Sequence, residues 1–86
     1  MRWEEIREHY PHQWLLVEAV EARSVGNRRV IEDLAVLGVF TNSSEALRRY
    51  VQSHHRTPER ELYVLHTDRK QLEFEERHWL GLRGLQ

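Results

Sequence analysis

Hydrophobic residues at the start of the chain recur at spacings of three and four. Trp3, Ile6 and Tyr10 share one face, which predicts a short helix over residues 2–9. Pro11 disfavours helix at the residue before it, so this helix should end near Tyr10. Residues 13–23 change character. The run Trp14-Leu15-Leu16-Val17-Glu18-Ala19-Val20-Glu21 is apolar on both faces at first and polar later, the pattern of a central strand whose far end reaches solvent. Leu, Glu and Ala also form helices well, so a helix is the rival reading. The polar turn Ser24-Val25-Gly26-Asn27, followed by a second run of similar length, favours the strand.

That second run, 28–40, carries Val30, Glu32, Leu34, Val36, Gly38 and Phe40 in one register. The other register holds Ile31, Asp33, Ala35, Leu37 and Val39. Both are largely apolar, so alternation does not say which face is buried. A long strand with a bulge near its middle or at Gly38 accommodates the pattern. Together the two runs predict an antiparallel hairpin.

The next segment predicts the clearest helix. Asn42 can cap it, and Glu45, three residues on, completes a capping-box-like pair. Ala46, Leu47, Tyr50, Val51 and His54 mark one face, with Arg48, Arg49 and Gln52 outside, and the helix must stop before Thr57-Pro58. Residues 61–67 alternate Leu62, Val64 and His66 against Tyr63 and Leu65, a third strand. After the turn Thr67-Asp68-Arg69-Lys70, Leu72 and Phe74 alternate with acids over 71–77. This predicts a half-exposed edge strand, whose Glu73, Glu75 and Glu76 would discourage edge-to-edge aggregation.

The expected fold is therefore α+β. A short helix within residues 1–10 precedes a hairpin, one amphipathic helix and two further strands, β-β-α-β-β in one sheet, with an apolar tail over 79–86. The expected core comprises Leu15, Val17, Ile31, Leu34, Val36, Leu47, Tyr50, Val51, Leu62 and Val64. The chain's 86 residues suit a single domain, 1–86, since two cores would each be too small to stand alone. Burying only about 60–65% of its unfolded surface, such a chain should be modestly stable unless it associates.

Composition narrows the chemistry. With 40% hydrophobic and 31% charged residues, extensive disorder is not expected. The absence of cysteine removes disulfides, thiolate metal sites and cysteine nucleophiles. No apolar run is long enough to cross a bilayer, and the Met1-Arg2-Trp3-Glu4-Glu5 start has no signal-peptide character, so the chain is read as cytoplasmic. A net charge of −1 gives no overall pull toward nucleic acid or acidic lipid, although six histidines let mild acidification make the chain positive.

Among those histidines, His54 with His66 forms the best candidate pair, with Asp68 or Glu59 as a further ligand if the loops cooperate. The adjacent His54 and His55 point in different directions, and no His-Glu-x-x-His spacing is present, so no metal site is assigned. The plainer reading places one histidine favourably at a helix C-terminus and another partly buried on a strand. Glu32 and Asp33, as strand neighbours, face opposite sides of the sheet and cannot share a substrate without a bulge. Glu18 opposite Arg28 or Arg29 would be an ordinary cross-strand pair. Ser43-Ser44 sit where capping explains them, and there is no nucleophile elbow, phosphate loop or dinucleotide fingerprint. No catalytic residue and no cofactor are assigned.

Two surface features remain. Arg48, Arg49, Arg56 and Arg60 make a basic helix end that could contact nucleic acid, although glutamates interleave with them as on any solvated helix. Trp79, Leu80, Leu82 and Leu85 form an apolar tail. It either folds back to pack with Trp3 and Trp14 or crosses to a second subunit as a protein interface.

The segments Trp14-Leu15-Leu16-Val17-Glu18, Arg29-Val30-Ile31-Glu32-Asp33, Arg60-Glu61-Leu62-Tyr63-Val64-Leu65-His66-Thr67 and Arg77-His78-Trp79-Leu80-Gly81 together resemble a family of short uncharacterised bacterial proteins. The likeness covers nearly the whole chain. In element order the chain is also loosely similar to small β-β-α-β domains of unknown function, some of which look like antitoxin or accessory proteins. The resemblance implies the fold and supplies no catalytic motif. The reading that follows is a non-catalytic protein-interaction module, an accessory or antitoxin-like factor that is homodimeric. Nucleic-acid binding through the basic helix end is the first alternative, and a small enzyme dependent on His54 or His66 the second.

Overall fold

The computed structural model describes residues 1–75. In chain order it contains α1 (Trp3–His9), β1 (Trp14–Val25), β2 (Arg28–Phe40), α2 (Ser43–Arg56), β3 (Leu62–His66) and β4 (Glu73–Glu75). All strand pairs are antiparallel, in the order β3-β1-β2-β4. The α+β class and the antiparallel hairpin are as expected, but the five-element layout is matched only in part. Three strands carry the sheet, and the fourth contributes three residues beside Arg28, Arg29 and Val30. The tail residues Trp79, Leu80, Leu82 and Leu85 lie outside the described residues.

The hairpin closes in a two-residue loop, because Val25 pairs with Arg28. Gly26 takes φ +61, a left-handed value that only glycine adopts freely, and Asn27 does not share it, the pattern of a type II′ turn. Beyond the loop the pairing is irregular. Leu16 faces Gly38 but Val17 faces Val36, so Leu37 has no partner. Ala19 faces Leu34 but Glu21 faces Asp33, which leaves out Val20, and Ala22 faces Ile31, which leaves out Glu32. These bulges explain why neither register of β2 looked polar. Ile31 and Leu34 belong to opposite registers in sequence, yet both are buried in one cluster.

Each face of the sheet carries its own helix. Leu15, Val17, Tyr63 and Leu65 point to the side covered by Trp3 and Ile6 of α1 and by Leu72 and Phe74. Trp3 Nε1 donates to the Arg69 carbonyl at 2.8 Å and Arg7 Nε donates to that of Thr67 at 2.8 Å, so α1 is bolted to the β3–β4 connection. The opposite side holds Leu16, Leu62 and Val64 beneath Ala46 and Tyr50 of α2. Trp3 and the half-buried Trp14 lie on opposite faces of the sheet.

Asn42 caps α2 as expected, its Oδ1 accepting from the Glu45 amide at 2.9 Å. The buried face of the helix is rotated from the expected one. Positions 43, 46, 50, 53 and 57 form the stripe against the sheet, spaced three and four apart. Leu47 and Val51 stand about 100° round the helix from it and are exposed, at 36% and 48%. The small side chain of Ala46, fully buried at the centre of the stripe, lets the helix sit close to Leu16, Leu62 and Val64. Leu47 and Val51 thus leave the expected core and Val36 is only half-buried, whereas the other seven expected residues are buried.

Candidate functional site

Three of the four arginines singled out in the sequence line one cleft. Arg49, Ser53 and Arg56 stand four and three residues apart on α2, Thr57 is its C-cap, and Arg60 follows in the connection to β3. With Leu37, the unpaired bulge residue of β2, they surround about 260 Å³. Arg48 is exposed and does not line it. Arg49, expected on the outer surface beside Arg48, instead borders the buried stripe. The sequence hides this because Leu47 and Val51, apolar but exposed, draw the expected stripe one position too far round the helix.

Arg60 is partly committed. Its Nε donates to Glu18 Oε2 at 2.9 Å and its Nη2 donates to Glu18 Oε1, a two-point pair. The hydrogen bond from Arg60 holds the Glu18 carboxyl below its ordinary range, partial burial opposes this, and the Arg60 charge lowers it further. Arg60 in turn is raised, first by the Glu18 bond and then by charge from Glu18 and Glu59, against some desolvation. Among the described residues, the guanidinium groups of Arg49 and Arg56 and the Ser53 hydroxyl carry no hydrogen bond or ion pair. The Thr57 hydroxyl donates to the Ser53 carbonyl at 3.1 Å, so its proton is committed.

Glu18 therefore does not pair with Arg28 or Arg29 across the hairpin, as expected from sequence. Arg29 instead spans β1. Its Nε and Nη2 donate to Glu61 Oε2 and Oε1 at 3.0 and 2.6 Å, and the Tyr63 hydroxyl donates to the same Oε2 at 2.6 Å. Arg23 pairs with Glu32 at 3.1 Å, and Asp33 receives the terminal amine of Met1 at 2.6 Å. The bulge-adjacent acids are thus drawn to separate cations and do not meet as a catalytic pair.

The histidine pair of the sequence reading is not brought together by any bond. His54, exposed, stacks on Tyr50 with ring centroids 5.7 Å apart, and His66 meets Trp14 edge-on at 5.0 Å. His66 Nδ1 accepts from the Asp68 amide at 3.1 Å. The Asp68 carboxylate lies nearer to His12, at 2.7 Å, than to His66, at 3.7 Å, and His12 holds a left-handed backbone (φ 55). Among the described residues no three His, Asp or Glu side chains converge as a metal site would require.

A wider groove of about 440 Å³ lies by α1, where Arg2 and Lys70 alternate with Glu4 and Glu32 around Trp3 and Leu72. Its charges cancel, and it selects no ligand by sign. No helix among the described residues is long and apolar enough to cross a membrane.

By its fold the chain is a small α+β domain on an antiparallel sheet with a helix on each face. Comparison with protein-family models, curated proteins and solved structures finds no match.

Proposed function

We propose that this chain is a non-catalytic protein-interaction module that pairs, strand to strand, with a second copy of itself. The observation that supports the reading is the outer edge of β2. Residues 36–40 read Val-Leu-Gly-Val-Phe, and among the described residues they pair only with β1, while β4 covers no more than Arg28, Arg29 and Val30. An apolar edge without charge, proline or a covering strand is a template for another strand. Antiparallel pairing of like edges about a two-fold axis lets the same surface serve both partners. Val39, 43% exposed, lies on this edge, and association would add buried surface to a small core.

Light scattering and native mass spectrometry test the reading. A dimer that Val39→Lys converts to a folded monomer supports it, because an edge lysine blocks strand addition. A monomer at all concentrations that also retrieves no protein in a nuclease-treated pull-down from its host overturns it.

A further inference from the structure

We propose that the cleft formed by Arg49, Ser53, Arg56, Arg60 and Leu37 is a binding site for a terminal phosphate group, a phosphate monoester or free phosphate. The proposal does not rest on the strand-pairing reading, although Leu37 belongs both to the cleft and to the β2 edge used there.

Charge decides the sign of the ligand. Three guanidinium groups meet one carboxylate, Glu18, already spent on Arg60, and the carbonyl end of α2 adds about half a negative charge. Counting the exposed Glu59 in full still leaves the cleft positive by about half a charge, and by about one and a half if solvent screens it. Arg56 alone would suffice to offset a helix end. Arg49, two turns earlier on the same face, has no such duty and no partner among the described residues.

Donor geometry decides the class. The guanidinium groups of Arg49 and Arg56, the free Nη1 of Arg60 and the Ser53 hydroxyl are all donors, which suits a tetrahedral oxyanion with several acceptor oxygens. Free carboxylates would be matched by one arginine. The volume, about 260 Å³, is below that of pockets that enclose drug-sized ligands. A polyanion fits poorly: Arg48 points elsewhere, Glu18 and Glu59 flank the cleft, and the net charge of the chain is −1. A compact dianion needs only the cleft. The wall opposite the helix is Leu37, which the bulge releases from strand pairing; bulges commonly re-aim a side chain beside a site.

The test is a titration of the full chain with inorganic phosphate, with phenyl phosphate, and with a short single-stranded oligonucleotide lacking a terminal phosphate. Arginine Nε–H resonances and calorimetry at low salt are the readouts. Expected are saturable shifts of Arg49 and Arg56 with both phosphates. Arg49→Gln or Arg56→Gln should weaken binding by roughly tenfold or more, while Arg48→Gln leaves it unchanged. Both positions are exposed, so circular dichroism should show unaltered folding. Phenyl phosphate binding at least as well as free phosphate identifies a monoester site; the reverse order identifies a free-phosphate site. No saturable shift up to about 20 mM phosphate overturns the proposal. So does oligonucleotide binding that is tighter than phosphate and equally sensitive to Arg48→Gln, which would mark an extended nucleic-acid surface instead.

Discussion

The rings of Tyr63 and Phe74 stack face to face, 5.1 Å apart and 6° from parallel, although the two residues stand on opposite edges of the sheet. Three strand spacings would separate those edges by roughly 14 Å. Both side chains must therefore lean inward over β1 and β2, on a sheet curled toward α1. The strands between them present Ala19 and Ala22 to this face, small enough to leave room, and the paired bulges at Val20 and Glu32 add local twist. Arg29 and Glu61 clamp the same end of the sheet over the same strand.

This stack should be energetically coupled. Tyr63→Leu and Phe74→Leu should each destabilise the domain by about 1–3 kcal/mol. The double variant should lose less than the sum, with a coupling of about 0.5–1.5 kcal/mol in a urea-unfolding cycle. Strict additivity would mean that the rings do not support one another.

Helix rotation gives a second expectation. Ala46→Leu should overpack the contact with Leu16, Leu62 and Val64 and cost about 1–3 kcal/mol. Leu47→Lys, one residue on, should change stability by no more than about 0.5 kcal/mol. Thermal melts of the two variants would separate them. If Leu47→Lys proved the worse, the helix would be seated on its other face.

Gly38 yields a third. A Cβ there would lie 2.7 Å from the Phe40 ring, so Gly38→Ala should displace that ring and destabilise by about 1–3 kcal/mol. Adding Phe40→Leu should recover part of the loss, because the obstructing atoms are gone. A melt showing no recovery would place the damage in the backbone.

The fourth concerns acid. Glu18 has its carboxyl held below the ordinary value of 4.5 by Arg60, so its stabilising effect is complete above that value. As pH falls below 4.5, the unfolded chain takes up the proton first, and the effect is lost as pH passes the lowered folded value. Glu18→Gln should therefore be less stable than the parent at neutral pH and converge with it in acid. Urea midpoints across pH 7 to 3 measure this, and parallel curves would exclude the pair as a source of acid sensitivity. Asp33, lowered by its hydrogen bond from the Met1 amine, should add an effect of the same sign.

Much of the fold was legible in the sequence because its signals are local. Asn42 and Pro58 bracket α2, Gly26-Asn27 makes the hairpin loop, and the short apolar run from Leu62 to Leu65 marks β3. What stayed hidden depends on neighbours distant in sequence. The bulges of β2 balance Ile31 and Leu34 against β1, and no periodicity within β2 reveals them. The seating of α2 turns on how closely Ala46 approaches Leu16, which the helical spacing of Leu47 and Val51 disguises. The partners of Glu18 and Arg29 lie 42 and 32 residues away, so hairpin proximity suggested the wrong pairs. The arginine cleft needed both the rotation of α2 and the placement of Leu37. The sequence supplied its residues but not their convergence.

The bulges at Val20 and Glu32 cancel, one on each strand, so the hairpin leaves them in the register it had before. The one at Leu37 does not cancel. Deleting Leu37 would bring Gly38, Val39 and Phe40 into the register that Val36 already keeps with Val17, and every remaining side chain would stay on its present face. The ladder is thus one residue longer than pairing requires. A chain of one residue fewer could close the same sheet, and what it would lose is the wall of the arginine cleft.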